Sequence, residues 1–427
     1  MTLVPLALLA GPSIPANAGP PSCHGKAATV VGEPGSVVDG TDSADVVVTN
    51  GATRVSTGAG DDLVCVTGGT DVDVVDVDTQ NGSDLVDTRG SRAGVARVDL
   101  GHGDDTFDGG SRPDTVYASN AFGTPGGRGA DVVSTGGGRD VVFTGAWFGN
   151  PDHDAVDLGA GRDDLWLQGA VDPGLPVVGG AGSDGLLFDR ISLRHQLVID
   201  NASGRAVDAG TAVMTWSGIE RFELSAVGPW QPPSFVGGPG PERVRSGLPL
   251  TSVTLGGGDD LMDLETEGRF VDDATYRGGQ GDDVLRFYSG PGDQVRRERL
   301  DLPEKRLVVV QDGERTHARV AGFDLHRLSA ARLVVRGTMA SDHVRWSGCH
   351  GRVEGRGGDD LLEAIDVVDA GCGPDADLVT RGGRGDDVLV GSDYRSDLLL
   401  GGSGADSADG RGADDRCVAE TVRRCER

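Results

Sequence analysis

Residues 382–415 read GGRGDDVLVGSDYRSDLLLGGSGADSADGRGADD. Almost every position is glycine, aspartate or a small aliphatic residue, and Asp387, Asp397, Asp406 and Asp415 recur nine or ten residues apart. A strand rises about 3.3 Å per residue, so a unit of nine is one tight turn plus one short strand. Two units then close one coil of a flattened helix of parallel strands. Glycine reaches the positive φ that such a corner needs without steric cost. The valines and leucines after each aspartate suit an extended backbone, and their inward-facing members can stack from coil to coil.

The same corner recurs along the chain. It reads GAGDD (58–62), GHGDD (101–105), GGRGAD (126–131), GGGRD (136–140), GAGRD (159–163) and GGAGSD (179–184). It continues as GGGDD (256–260), GGQGDD (278–283), GRGGDD (355–360), GGRGDD (382–387) and GGSGAD (401–406). Nine residues separate Asp105 from Asp114, Asp131 from Asp140 and Asp397 from Asp406. A step of about twenty links Asp62, Asp84 and Asp105, and again Asp140, Asp163 and Asp184. The longer step reads as a full coil whose second corner has lost its motif. The expected fold is all-β: a parallel β-roll or β-helix solenoid with glycine-aspartate corners.

A longer repeat is superimposed. GIERFELSA (218–226) matches GFDLHRLSA (322–330), and each is followed at a similar distance by a new corner, at 256–260 and 355–360. Segments 188–255 and 286–354 are therefore two copies of one module without internal glycine-aspartate corners, with strands at LVID (197–200) and RLVVV (306–310). The layout is a leader at 1–18, an N-terminal array at 19–187, a two-copy section at 188–364 and a C-terminal array at 365–427. The leader reading rests on the apolar run Leu3–Ala10 followed by Ala16-Asn17-Ala18, a small-x-small cleavage pattern.

Composition narrows the function. The chain carries a formal charge of −28, which disfavours nucleic acid and anionic lipid and favours cationic partners. No stretch approaches the ~18 consecutive apolar residues of a membrane span. Six cysteines and an export signal point to disulfides, with Cys23–Cys65, Cys349–Cys372 and Cys417–Cys425 as local pairings among fifteen arrangements. Cys23-His24 and Cys349-His350 lack the spacing of a zinc site.

Calcium takes six to eight oxygens, and a glycine-rich corner can turn backbone carbonyls toward one point where an aspartate adds a charged oxygen. One corner offers too few ligands, so two stacked corners would share an ion. This accounts for aspartates recurring at coil spacing, and it couples folding to ion binding. GGRGDDVLV (382–390), GGAGSDGLL (179–187), GGRGADVVS (126–134) and GGQGDDVLR (278–286) resemble the RTX, or haemolysin-type, nonapeptide GGxGxDxUx. The resemblance implies a β-roll that holds Ca²⁺ between turns. It implies ligands at Asp131, Asp184, Asp283, Asp387 and Asp406, and at Asp62, Asp105, Asp140, Asp260 and Asp360 in copies missing one glycine. The opening SCHGKAATVVG (22–32), the closing DDRCVAETVRRCER (414–427) and the near-absence of lysine look like secreted actinobacterial RTX-like proteins.

RTX repeats often accompany a catalytic domain. The chain has no HExxH and no GxSxG, and neither Lys26 nor Lys305 sits in a P-loop. The expectation is a non-enzymatic calcium-binding protein, a scaffold or adhesin bound to a cell-surface or extracellular polymer. The alternative is a β-helix polysaccharide lyase or epimerase. Its groove would draw on His195, Trp216, Arg221 and Trp230 in the first module and His317, His326, His343, Arg345 and Trp346 in the second.

Overall fold

Each corner feeds a short parallel strand, and the strands stack into two facing walls of one β-solenoid. The structure is a computed structural model and describes residues 20–71, 73–118, 129–145, 153–168, 176–189, 196–225, 231–265, 270–287, 297–365 and 377–426. The expected leader at 1–18 lies outside them, as do His195, Trp230 and Cys372. The described residues contain strands and turns and no helix.

Among the described residues the front wall has 18 strands, running in parallel from Val37–Asp39 to Thr421–Arg423. Its neighbours pair in register, so one inward residue per strand forms a continuous file. Val38, Val55, Val77, Val98 and Val116 begin that file, and Val344, Leu362, Leu389 and Ala408 lie near its end. The back wall carries a matching file, Val47–Val64–Val86–Phe107–Val133–Val156. These residues are buried, and together they form one apolar core from Val38 to Ala408. Burial of each such side chain contributes about 1.5–3 kcal/mol, and a coil that stood alone would lose it.

The nine- and twenty-residue spacings resolve into geometry. Asp397 opens the back-wall strand Asp397–Ser403, whereas Asp387 and Asp406 precede the front-wall strands Val388–Val390 and Ser407–Asp409. Nine residues is therefore half a coil and about twenty a whole one.

Among the described residues the back wall contains 22 strands against 18 in front. The excess of four comes from the two copied modules. In the first, Leu197–Asp200, Arg205–Asp208 and Thr211–Ser217 form an antiparallel meander. Its outer strands pair in parallel with the coils on either side. In the second, Arg297–Asp301, Arg306–Gln311 and Glu314–Ala321 repeat the arrangement. Each module thus inserts two extra strands where an ordinary coil has one. The second hairpin turns at Asp312-Gly313 with φ of 50° and 84°, the paired positive values that an Asp-Gly turn supplies.

Disulfides join Cys23 to Cys65 and Cys417 to Cys425, at the two ends of the described chain. Cys349 is also disulfide-bonded.

Candidate metal centre: two files of buried carboxylates

The corner aspartates turn inward and form files along the two edges of the solenoid. At the back-wall edge each backbone N–H donates to the carboxylate one coil further on. Asp45 donates to Asp62 (2.8 Å), Asp62 to Asp84 (2.8 Å), Asp84 to Asp105 (2.8 Å), Asp105 to Asp131 (2.9 Å) and Asp131 to Asp154 (2.9 Å). The front-wall edge repeats the device from Asp114 through Asp140, Asp163 and Asp184 to Glu220. It does so again from Glu242 through Asp260 and Asp283 to Asp324, and from Asp342 through Asp360, Asp387 and Asp406 to Glu420. At the C-terminal end, Asp397, Asp415 and Glu426 form a short back-edge run.

The ten aspartates picked out by sequence therefore divide between two edges. Asp62, Asp105 and Asp131 share the back edge; Asp140, Asp184, Asp260, Asp283, Asp360, Asp387 and Asp406 share the front. Members of the same files outside that set are Asp45, Asp84, Asp114, Asp154, Asp163, Asp324, Asp342, Asp397 and Asp415, with Glu220, Glu242, Glu420 and Glu426. Their signal was the coil spacing, since the full glycine motif is absent at many of them.

One carboxylate oxygen is occupied by the neighbouring coil's N–H, which leaves the other. At Asp105, Asp163, Asp184, Asp360, Asp387, Asp406 and Asp415 that second oxygen, Oδ2, is buried and has no hydrogen-bond partner. Its position explains the first glycine of the motif. A Cβ on Gly382 would collide with the carboxylate of Asp387, and one on Gly401 with that of Asp406. Further round the corner, Gly385 has φ of 117° and packs on the carbonyl oxygen of Gly358 in the preceding coil. Corners that lack the glycine pair close differently. Asp397 Oδ2 accepts the Ser392 N–H (2.6 Å), and Asp45 Oδ2 accepts the Thr41 N–H (2.7 Å).

A second, outer file runs beside the inner one. Exposed Asp61, Asp104, Asp259, Asp359 and Asp386 accept N–H groups from the next coil at 2.8–3.0 Å. Their charges add to the inner file. Burial first, and then repulsion from neighbours such as Asp84 and Asp104, pushes Asp105 up to about 7. Burial likewise takes Asp114, Asp260 and Asp360 up to about 7, and Asp84, Asp140, Asp184 and Asp415 up to about 6. At Asp45 burial also pushes upward, but hydrogen bonds from Thr29 and Thr41 outweigh it and hold the group below its ordinary value. Arg221 lies over Gly185, pairs with Asp164 (2.8 Å), donates to the Asp163 carbonyl (2.9 Å) and eases Asp163 and Asp184 electrostatically.

The donor set is oxygen alone: buried carboxylate oxygens in file, with backbone carbonyls of adjoining corners packed between coils. That chemistry suits a hard cation such as calcium. Among the described residues no group of three carboxylates lies close enough to hold a metal ion by itself, so carbonyls would have to complete any shell. The group that does converge this closely is Cys23, His24 and Cys65, and its disulfide takes both sulfurs from a zinc site.

Those of the residues considered for a catalytic groove that the structure describes do not all share one face. Trp346 and His326 are buried in the core, with burial taking His326 down to about 4. Trp216 is buried and donates through Nε1 to Asn201 Oδ1 (2.8 Å). Arg221, His343 and Arg345 face outward on the front wall, and His317 lies on the back wall against Asp272. The chain matches no family model, and no curated protein is significantly similar to it.

Proposed function

We propose that this chain is a secreted calcium-binding β-solenoid similar to the RTX repeats, in which ion binding is coupled to folding. Its role is that of an extracellular scaffold or adhesin, by binding and without turnover. The observation that carries this reading is the file of buried Oδ2 atoms without a donor, in an apolar-cored protein of charge −28. A buried carboxylate with no partner costs several kcal/mol unless it takes a proton or a cation. Asp105, Asp163, Asp184, Asp360, Asp387, Asp406 and Asp415 would hold calcium, with corner carbonyls supplying neutral oxygens. Bound calcium would supply the positive charge that the files lack. Disulfides at both ends of the described chain support the extracellular setting.

Calcium titration at about pH 8, followed by circular dichroism and calorimetry, tests the reading. The expected result is binding in the ~10⁻⁴–10⁻³ M range of extracellular calcium modules, with a gain of β signal over the EDTA-treated chain. Identical spectra and melting curves in calcium and in EDTA, with no heat of binding, would overturn it.

A further inference from the structure

The segment that runs from the second meander to the next glycine-aspartate corner carries a charge opposite to that of the rest of the molecule. Residues 296–356 hold thirteen Arg and Lys against eight Asp and Glu, in a chain where acids outnumber bases 67 to 39. The strand registers gather many of these arginines on the outer face of the back wall. Arg297 pairs with Arg332 across one strand boundary, and Arg306 with Arg319 across another. Like charges directly opposite one another destabilise a sheet.

The available acids do not neutralise this face. Asp301 is shared by Arg336 (3.2 Å) and Arg299 (3.6 Å), Glu304 lies 3.9 Å from Arg336, and Asp272 takes His317. Arg297, Arg306, Arg315, Arg319 and Arg332 are exposed and have no carboxylate at ion-pair distance among the described residues. Several of them line a cavity of about 470 Å³ whose apolar surface comes from Val308, Val310 and Val334.

The first meander serves as an internal control. It builds the same three-stranded insert, with Asp200 opposite Arg205 as Asp301 is opposite Arg306. Yet Thr215 stands where the second copy has Arg319, and Val198 where it has Arg299. The insert therefore forms without the basic face.

We infer that the outer face of the second meander binds an acidic polysaccharide carrying carboxylate or sulfate groups. Guanidinium forks match both anions bidentately. The acidic surface elsewhere would repel a polyanion and confine it to this face. The cavity's one ring is His317, so it lacks the aromatic platforms on which single-stranded nucleic acids stack. Disulfides at both ends of the described chain place the partner outside the cell. The inference does not depend on calcium occupying the carboxylate files.

The test is binding of the full chain, at fixed calcium, to fluorescent hyaluronate and dextran sulfate oligomers, with neutral dextran as the comparison. Both anionic probes are expected to bind with affinity that falls as salt rises, and neutral dextran is not. R306Q/R319Q and R297Q/R332Q should each weaken binding by about tenfold or more. R306K/R319K should keep most of the affinity, and R205Q in the first meander should change nothing. Melting temperatures of the glutamine pairs should match or slightly exceed that of the parent, since each removes two facing like charges from exposed positions, and those of R306K/R319K and R205Q should match it. Unchanged affinity in both glutamine pairs, or equal binding of neutral dextran, would overturn the inference. So would tighter binding of a single-stranded oligonucleotide of equal charge, or glutamine pairs whose effect is to dissociate a self-associated species in sedimentation.

Discussion

The backbone N–H of Asp360 donates to Oδ1 of Asp387 at 2.9 Å across one coil boundary, while Oδ2 of each carboxylate is buried without a donor. The two oxygens of one side chain therefore have separable tasks. Oδ1 fastens coil to coil, and Oδ2 stands ready for a proton or a cation. A change that spares the first and abolishes the second would tell them apart.

Asp387→Asn keeps a carbonyl oxygen for the Asp360 N–H and removes the charge. In EDTA at about pH 8 its stability should equal or exceed that of the parent, because no buried charge remains. In calcium it should lose part of the calcium-induced rise in melting temperature. Asp387→Ala leaves the Asp360 N–H unsatisfied and should cost about 1–3 kcal/mol in either condition. Denaturant melts of the three proteins, each with calcium and with EDTA, provide the comparison. Equal calcium responses in the parent and Asp387→Asn would exclude this carboxylate as a ligand.

Burial lifts Asp105, Asp114, Asp260 and Asp360 to about 7 and Asp84, Asp140, Asp184 and Asp415 to about 6. An unfolded aspartate titrates near 3.9. Between about pH 4 and pH 7 the folded chain thus retains protons that the unfolded chain has released. The stability contributed by these groups is full below about pH 4, falls as pH rises through 6 and 7, and then levels off. In EDTA the melting temperature should therefore drop from about pH 5 to pH 8. Calcium competes with those protons, so its stabilising effect should grow over the same interval. A calcium-induced shift of the same size at both pH values would count against cation binding at the buried files.

Much of this was legible in the sequence because a solenoid's periodicity is local. Glycine corners followed by Val or Leu place the strands, and the spacing of Asp62, Asp84 and Asp105 already reports a coil length. Which edge each aspartate occupies could be read only from the half-coil step, as between Asp131 and Asp140. The file members Glu220 and Glu420 were hidden because a longer acid reaches the same N–H from a corner without the glycine motif, and Glu242 because glutamate stands in the aspartate's place in the corner GGPGPE (237–242). The meanders escaped notice although Asp312-Gly313 between alternating apolar residues is a strong hairpin signal. Two strands added within one wall leave the coil repeat on either side unchanged, so the repeat itself carries no trace of them.

Glycine identity should matter for space at one position and for nothing at another. Gly382 has no unusual backbone angle, and the obstacle to a side chain there is the Asp387 carboxylate. Gly382→Ala should displace that carboxylate and weaken the calcium response as Asp387→Asn does, with added destabilisation. Gly240 has nothing within 4 Å of its missing Cβ. Gly240→Ala should be neutral or raise stability by about 0.4–1 kcal/mol. Parallel melts in calcium would check both. A Gly382→Ala protein with parental stability and calcium response would show that the corner does not hold Asp387 as described.

The Cys23–Cys65 disulfide should act locally. It spans 42 residues and ties the first hairpin, Ser22–Cys23 with Lys26–Ala27, to the back-wall strand Leu63–Cys65. Cys23 is fully buried against Val48 and Leu63, in a small apolar cluster on the outer side of the back wall, apart from the main core. Closing a loop of this length is worth about 2–4 kcal/mol. Because each coil touches only its neighbours, that stabilisation is confined to the coils near the N-terminal end. Cys23→Ser/Cys65→Ser should raise amide exchange across roughly residues 20–65 and leave the front-wall strands beyond Leu261–Leu264 as protected as in the parent. A uniform loss of protection along the chain would instead mean that the solenoid unfolds as one cooperative unit, with the N-terminal disulfide stabilising all of it.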